Sequence, residues 1–249
     1  MELSPEHPMA DYLAGYLAFR KKDELKAGFY FERAIRANDK LVFPYRQEYI
    51  DILKWADQRQ FSWKTKYYSA LLYWSAGQAD MAGKYFNECK HLPDSYSFYL
   101  SRGSFVRQDG GNGEEDFLKA LKYGSKEWRP YHILHNYYLS VFNFEKALAV
   151  SQDAMKIFTS SYIIKFDHAQ SLVNTGKYED CIKLLKNTEI LPHEGAGYGR
   201  TIWQQANLLE ALRLINNGKI SGALEKIASS RSWPENLGVG KPYNVNESL

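Results

Sequence analysis

One helix–turn–helix pattern recurs along the chain with a nearly constant phase. Residues 174–185 end one amphipathic helix, turn at Gly176 and begin a second helix whose apolar residues are spaced three and four apart. The same phase appears 34 residues earlier, in residues 142–149. Further copies begin near Lys22, Ala76 and Asn217. A repeat of this length is typical of stacked helix pairs, so we expect an all-α fold of about thirteen helices, about 60–75% helical, with essentially no sheet.

A small residue lies near the start of the second helix in most copies. At this point the paired helices approach closely, and a larger side chain would force them apart. Aromatic residues then fill the space between neighbouring repeats. Together these residues resemble the tetratricopeptide repeat (TPR) signature over about residues 8–231. The resemblance is carried by Gly15, Ala27, Phe31, Ala34, Ala70, Tyr73, Ala82, Phe86, Tyr138, Ala147 and Ala154, with Ala223 as a further small residue.

This resemblance implies both a fold and a mode of binding. It implies a right-handed superhelical solenoid of antiparallel helix pairs, with about six repeats forming one domain over residues 1–231. In such proteins the first helix of each repeat lines an extended concave groove that holds a partner. The implied function is a protein–protein interaction scaffold without catalytic activity, either as this chain alone or as one part of a larger protein.

The array is irregular in three places. Between the first two pairs, the spacing leaves room for an extra helix at about residues 44–59. The third repeat has a long glycine-rich turn at residues 108–113 and a short second helix at about residues 114–123. An insertion at about residues 191–200 separates the last two pairs. Fine groove geometry therefore cannot be carried over from regular family members.

The last residues, 232–249, lose the helical period and are expected to form a non-helical tail. Residues 233–243 are similar to a stretch that follows the repeats in large uncharacterised bacterial proteins, which carry a β-rich domain ahead of a TPR array. This similarity implies that the chain is part of such a protein or related to one. The alternative is a tail that packs on the open end of the last repeat.

Charge and composition argue against several kinds of partner. The 32 basic and 29 acidic residues are mixed along the chain, so no nucleic-acid partner is expected. No stretch reaches the roughly 20 apolar residues of a membrane span, and residues 1–6 lack a secretory signal pattern, which favours a cytoplasmic protein. Cys89 and Cys181 replace small apolar residues of the repeat, which predicts buried free thiols.

Candidate catalytic and cofactor motifs fail on spacing. The segment from Gly238 to Lys241 lacks the earlier glycine and the following Ser or Thr of a phosphate-binding loop. Residues 109–114 lack the acidic spacing of a calcium loop. His132 and His135 have no companion metal ligand at a recognisable spacing, so we expect one histidine to face the groove and the other to be packed or on the surface. The sequence therefore predicts no enzyme, metal or cofactor.

Two other classes of function are alternatives. A carbohydrate-active enzyme built as an α/α-toroid would use the aromatic residues, 15% of the chain, for sugar stacking. The chain is short for a closed ring, and no aligned pair of acidic residues is evident. A helical-repeat RNA binder would stack bases on the same aromatics, but it would also need a basic groove to follow the phosphates.

The repeat phase places ten candidate residues on the groove-lining face of the first helices. The polar members are expected to hydrogen-bond a peptide backbone or carboxylate. The same face includes Phe105 and Phe166. For these two residues and for Trp74, packing between repeats is the alternative role. The face does not reproduce the lysine- and asparagine-rich clamp of chaperone-binding family members, so the expected partner is a protein or an extended peptide of mixed character. The ten candidates are Tyr12, Tyr16, Arg20, Tyr67, Trp74, Arg102, His132, Asn136, Gln170 and Asn174.

Overall fold

The computed structural model describes residues 7–192 and 197–241. Over these ranges it contains thirteen α-helices and one short 3₁₀ helix, and no strand. The predicted all-α fold is therefore confirmed. The helices are α1 (Pro8–Arg20), α2 (Glu24–Arg36), α3 (Tyr49–Arg59), α4 (Trp63–Ser75), α5 (Ala79–Glu88), α6 (Tyr96–Gln108), α7 (Glu114–Tyr123), α8 (Trp128–Ser140), α9 (Phe144–Ile157), α10 (Tyr162–Asn174), α11 (Tyr178–Lys186), α12 (Tyr198–Asn216) and α13 (Ile220–Ser230), and the 3₁₀ helix is Glu235–Leu237.

The chain divides into two compact units, residues 1–124 and residues 125–249. In the first unit α1 pairs with α2, α4 with α5 and α6 with α7, while the extra helix α3 packs on α1 and α4. In the second unit α8 pairs with α9, α10 with α11 and α12 with α13. Because short turns join the two helices of each pair, the helices run antiparallel. The single repeat domain over residues 1–231 remains a prediction.

The turn inside a pair needs one residue with left-handed backbone. Gly176 has φ +75°, a conformation that would strain a side chain, and it follows the end of α10. The N–H of Lys177 then bonds the carbonyl of Leu172, which closes the helix end. Asn143 begins the second helix of another pair by accepting the N–H of Lys146 at 3.2 Å. These local signals explain why the chain reverses at each repeat.

Small residues lie where helices touch, as the signature predicts. Ala27, Ala82 and Ala147 are completely buried near the starts of α2, α5 and α9. A Cβ atom added to Gly15 would lie 2.9 Å from the ring of Trp55 and 3.3 Å from the carbonyl oxygen of Ala27. A larger residue at any of these positions would separate the helices.

Two predicted boundaries change, and the short helix α7 has the predicted bounds. The extra helix begins at Tyr49 rather than near residue 44, because residues 42–46 have no regular structure and residues 47–48 form a turn. The segment between α11 and α12 is residues 187–197, so it begins and ends earlier than the predicted insertion at residues 191–200. Residues 193–196 of that insertion lie outside the described residues.

The described part of the tail, residues 232–241, packs on the end of α11 and not on the open end of the last repeat. The side-chain amide nitrogen of Asn236 donates to the backbone carbonyls of Leu185 at 2.9 Å and Thr188 at 2.7 Å. The backbone carbonyl of Asn236 accepts the N–H of Ile190 at 2.9 Å. Leu237 is completely buried in the same apolar cluster. The tail therefore covers the end of α11. Residues 242–249 lie outside the described residues.

Candidate functional site

A cluster of polar side chains joins the neighbouring first helices α8 and α10 of the second unit. Nδ1 of His132 lies 2.8 Å from an Asp167 carboxylate oxygen, and Nε2 of His135 lies 2.8 Å from the Ser171 hydroxyl. Asn136 links the two histidines. Its amide nitrogen lies 3.1 Å from Nε2 of His132 and its amide oxygen 3.3 Å from Nδ1 of His135. We call these five residues the polar cluster.

One assignment of protons satisfies every contact in the polar cluster. His132 donates its Nδ1–H to Asp167 and accepts at Nε2 from the Asn136 amide. The Asn136 oxygen accepts Nδ1–H of His135, whose Nε2 accepts the Ser171 hydroxyl. The orientation of the Asn136 amide is therefore set by hydrogen bonds on both of its atoms.

The buried part of the polar cluster combines a serine, a histidine and an aspartate, the residue types of a hydrolase triad. Burial lowers the pKa of His135, which keeps its ring neutral. Ser171 is completely buried within α10, so no substrate carbonyl can reach its hydroxyl. Nδ1 of His135 lies 3.7 Å from Asp167, which is too far for a hydrogen bond. These three residues position the histidines and Asn136 rather than form a catalytic site.

Exposed amide groups lie above the polar cluster. Asn136 is exposed, and Gln170 and Asn174 are half-buried. Gln170 donates to the Asn174 amide oxygen at 3.2 Å and accepts the hydroxyl of Tyr198 at 3.4 Å. Each amide group has two N–H donors and two acceptor lone pairs, so these bonds use only part of the capacity of Asn136 and Gln170. We call Asn136, Gln170 and Asn174 the amide row; with His132 they are four of the predicted groove residues.

Phe166 closes one side of the amide row by packing between repeats. Its ring is mostly buried and meets the half-exposed ring of Tyr198 at 5.8 Å between centroids. A Cβ atom on Gly199 would lie 2.5 Å from the Phe166 ring, so glycine is required for this contact. The alternative role given to Phe166, packing rather than ligand contact, is the one that the structure shows.

Two of the ten predicted groove residues lie in the core instead. Tyr12 is completely buried and its hydroxyl bonds the Thr65 hydroxyl at 2.8 Å. Tyr67 is almost completely buried, and its hydroxyl lies 2.9 Å from the Ser101 hydroxyl. Burial raises the pKa of both phenols. Each ring fills the space between first helices, so neither tyrosine can contact a ligand.

The other aromatic candidates of the first unit remain accessible. Tyr16 is half-buried against Trp55, with 6.0 Å between ring centroids, and exposed Arg20 donates to its hydroxyl at 3.2 Å. Trp74 is half-buried and donates its indole N–H to Gln108 at 2.8 Å. One side of Trp74 also borders an open, mainly apolar cavity of about 290 Å³. The other residues that line it are Phe43, Pro44, Tyr45, Leu71, Ser75 and Ser101.

Arg102 is engaged within its own repeat. Its guanidinium donates two hydrogen bonds to the carboxylate of buried Asp116, and these bonds raise the pKa of Arg102. The same group lies 5.0 Å from the centroid of the Phe98 ring and 5.5 Å from that of Tyr99. Arg102 therefore joins α6 to α7, and its predicted role as a free ligand-binding group needs this correction.

Within residues 7–192 and 197–241, no three His, Cys, Asp or Glu side chains are close enough to hold a metal ion. No described helix has both the length and the apolar character needed to cross a membrane. Cys89 and Cys181 are buried free thiols, as predicted, and burial raises the pKa of each to about 12.

The sequence reasoning missed the partners of the predicted residues. Asp167 follows His132 by 35 residues, and Ser171 follows His135 by 36. In the first unit Gln108 follows its partner Trp74 by 34 residues. Each separation is one repeat. The repeat period therefore carried a usable signal, because polar side chains one period apart on first helices face each other.

The solved structures that are similar to this chain include YrrB and MamA. YrrB, a TPR protein with an unusual peptide-binding site, matches with a TM-score of 0.53 and 14% identity over 72% of this chain and 90% of YrrB. The MamA protein matches with a TM-score of 0.50 and 14% identity over 68% of this chain and 89% of MamA. The sequence matches no protein-family model and no curated protein. The chain therefore has the all-α helical-repeat fold of TPR proteins.

Proposed function

We propose that the chain is an interaction scaffold that binds an extended peptide or protein segment on the amide row of its second unit. The observation that carries this proposal is the row itself, in which Asn136, Gln170 and Asn174 have accessible amides. The polar cluster beneath holds Asn136 in one orientation. A preordered amide loses little side-chain entropy when it binds, so more of its hydrogen-bond energy appears as affinity.

The chemistry of the amide row fits a peptide backbone. An extended backbone presents N–H donors and C=O acceptors, and a side-chain amide can pair with both. The three amides carry no charge, so recognition needs no acidic or basic tail on the partner. Backbone contacts would supply affinity, and the partner's side chains would supply specificity.

The cavity beside Trp74 suits a separate apolar anchor. Leu71 and the exposed side chains of Phe43 and Tyr45 line it, and hydroxyl groups of Ser75 and Ser101 are its polar members. A cavity of about 290 Å³ with this lining accepts an aromatic or branched apolar side chain. The partner is thus expected to have mixed polar and apolar character. YrrB, which shares the fold, is itself a peptide-binding TPR protein, and this supports the proposal.

A random peptide library displayed on phage tests the proposal directly. We expect the wild-type chain to enrich extended peptides that bind in the micromolar range or better. The variant Asn136→Ala/Gln170→Ala/Asn174→Ala should bind the same peptides at least about 10-fold more weakly, because loss of three hydrogen bonds of about 0.5–1.5 kcal/mol each exceeds 1.4 kcal/mol. Isothermal titration calorimetry measures the difference.

The control variant Gln152→Ala/Lys186→Ala changes exposed residues of α9 and α11. It should bind as the wild type does. The control variant should keep the melting temperature. The triple variant should lose about 1–3 kcal/mol of unfolding free energy, because Asn136→Ala leaves the Nδ1–H of buried His135 without its acceptor. Affinities are therefore compared well below the melting temperature of the triple variant. If a folded triple variant retains full affinity for every enriched peptide, the amide row is not the binding surface.

A further inference from the structure

The second helix of each interior pair in the second unit buries one apolar residue against the first helix of the next pair. Leu148 directly follows the small residue of α9, and Ile182 directly follows that of α11. Both are 4% exposed and belong to the apolar cluster that includes residues of α10 and α12. Leu224 has the same position on α13, yet it is 62% exposed. The helix that would cover it is missing from the described chain.

The first helix of the last pair shows the same difference. Val173 lies eight residues before the small residue Cys181 and is 6% exposed. Ile215 lies eight residues before Ala223 and is 43% exposed. Ile220 at the start of α13 is also exposed. We call Ile215, Ile220 and Leu224 the C-terminal face. A terminal repeat that stays single in water normally carries polar residues here.

Helix α1 also exposes an apolar residue at a position that is buried in the next pair. In the next pair, Tyr68 and Leu72 of α4 are buried, and the Tyr68 ring meets that of Tyr12 on α1 at 6.1 Å. Leu13 and Leu17 precede the small residue Ala27 by the same numbers of residues as Tyr68 and Leu72 precede Ala82. They are therefore the equivalent residues of α1. Leu17 is 51% exposed, whereas Leu72 is 2% exposed. We call Leu13 and Leu17 the N-terminal face.

We propose that the C-terminal face of one copy of this chain binds the N-terminal face of a second copy. Helix α1 of the second copy would cover Leu224 as α10 covers Leu148 and α12 covers Ile182. The contact continues the interface already formed between successive pairs of the second unit. It buries apolar residues that the interior pairs bury, which is the main driving force for such association.

The residues on the two faces match chemically. Within the second unit, α8 and α10 meet through the polar pairs of the polar cluster. Leu208 and Ala211 hold the repeat positions on α12 that His132 and His135 hold on α8. Leu13 and Leu17 hold the repeat positions on α1 that Asp167 and Ser171 hold on α10. When α1 packs on α12, half-buried Leu208 meets Leu13, whereas Ala211 is already buried within its own copy. On α8 the same leucines would bury His132 and His135 without the Asp167 and Ser171 groups that they bond, which is unfavourable.

The two faces are different, so the contact is heterologous and each copy retains one unused face. Association is therefore expected to continue beyond a dimer as concentration rises. Sedimentation velocity over a range from about 1 to about 200 μM tests this, where the limits bracket the affinities common for contacts of modest size. The wild type should shift from the 28.8 kDa chain mass to dimers and larger species.

Two single variants give the decisive test. Leu17→Glu removes the N-terminal face and Leu224→Glu removes the C-terminal face, and both positions are exposed, so the fold should persist. Each variant alone should stay monomeric. An equimolar mixture should form a dimer and nothing larger, because only one intact pair of faces remains. The control Leu25→Glu, at an exposed site of α2 outside both faces, should associate like the wild type.

Two results would overturn the proposal. A wild type that remains monomeric at every concentration shows that a second copy does not cover these faces. A wild type that associates while the mixture of the two variants stays monomeric shows that the two faces do not bind each other. Circular dichroism of each variant excludes loss of the fold as the cause.

Discussion

Replacing Arg102 with alanine should destabilise the first unit rather than weaken binding. The substitution removes both hydrogen bonds to Asp116, whose carboxylate side chain is only 9% exposed. Asp116 is then left mostly out of water without its partner. Because water cannot fully solvate the aspartate in the folded protein, the substitution lowers the free energy of unfolding.

The expected loss of unfolding free energy is about 4–5 kcal/mol. Breaking a fully buried pair costs about 3–5 kcal/mol, and the 21% exposure of the Arg102 side chain places this pair at the low end. Loss of the contacts with the Phe98 and Tyr99 rings adds about 0.5–1 kcal/mol each at a partly exposed site. This is a large part of the roughly 5–15 kcal/mol that stabilises a typical domain.

Urea unfolding followed by circular dichroism measures the loss, and hydrogen exchange locates it in α6 and α7. Localisation is needed because helical-repeat proteins often unfold in more than one step. The matched control is Lys119→Ala on α7. Lys119 pairs with Glu115, which is 82% exposed, so this change should cost no more than about 0.5 kcal/mol.

A second variant distinguishes the effect of losing the ion pair from the effect of losing side-chain volume. Arg102→Met/Asp116→Leu replaces both partners with apolar groups and should recover most of the stability, to within about 1 kcal/mol of the wild type. The reasoning is refuted if Arg102→Ala unfolds at the same urea concentration as Lys119→Ala. For the same physical reason, a binding test at Arg102 would report damage to the fold.

Two further predictions follow from the packing of the helices. Burial lowers the pKa of His135 and of His168 below the ordinary value of 6.5, so the unfolded state binds more protons and the unfolding free energy should fall as pH drops below about 6.5. His135→Gln should reduce that slope by up to about 1.4 kcal/mol per pH unit in urea titrations between about pH 5.5 and 7.5, and an unchanged slope would contradict the neutral ring. Gly103→Ala should cost about 1–3 kcal/mol in thermal unfolding, because its Cβ would lie 2.7 Å from the Phe117 ring. Gly83→Ala, where the nearest ring carbon is 3.5 Å away, should be neutral or stabilising, and equal losses for the two variants would disprove the close-approach argument.

Helix number and pairing could be predicted from the sequence because their causes are local. Apolar spacing, left-handed glycines and small residues at close approaches act within one helix pair. The bounds of α7 followed directly from them. The start of α3 did not, because Pro44 is compatible with both a first helical turn and an extended segment. The local sequence does not decide between these states.

The site was predicted less completely because it depends on contacts between pairs. Asn136 is exposed and Gln170 and Asn174 are half-buried, and their role as a groove-lining face stays a prediction. The same phase placed Tyr12 and Tyr67 on that face, but a large ring can turn inward and bury itself between helices. The direction of such a side chain depends on the helix of the neighbouring pair. The sequence pattern within one pair does not include that helix.

The tail changes how the end of the molecule is expected to unfold. In an array whose repeats contact only their neighbours, the terminal pair frays first and alone. Here Asn236 bonds the carbonyls of Leu185 and Thr188, which precede it by 51 and 48 residues. These bonds close a ring of chain that contains α12 and α13. The last pair cannot detach without also exposing the end of α11, so these three helices should open and exchange their amide hydrogens as one cooperative unit.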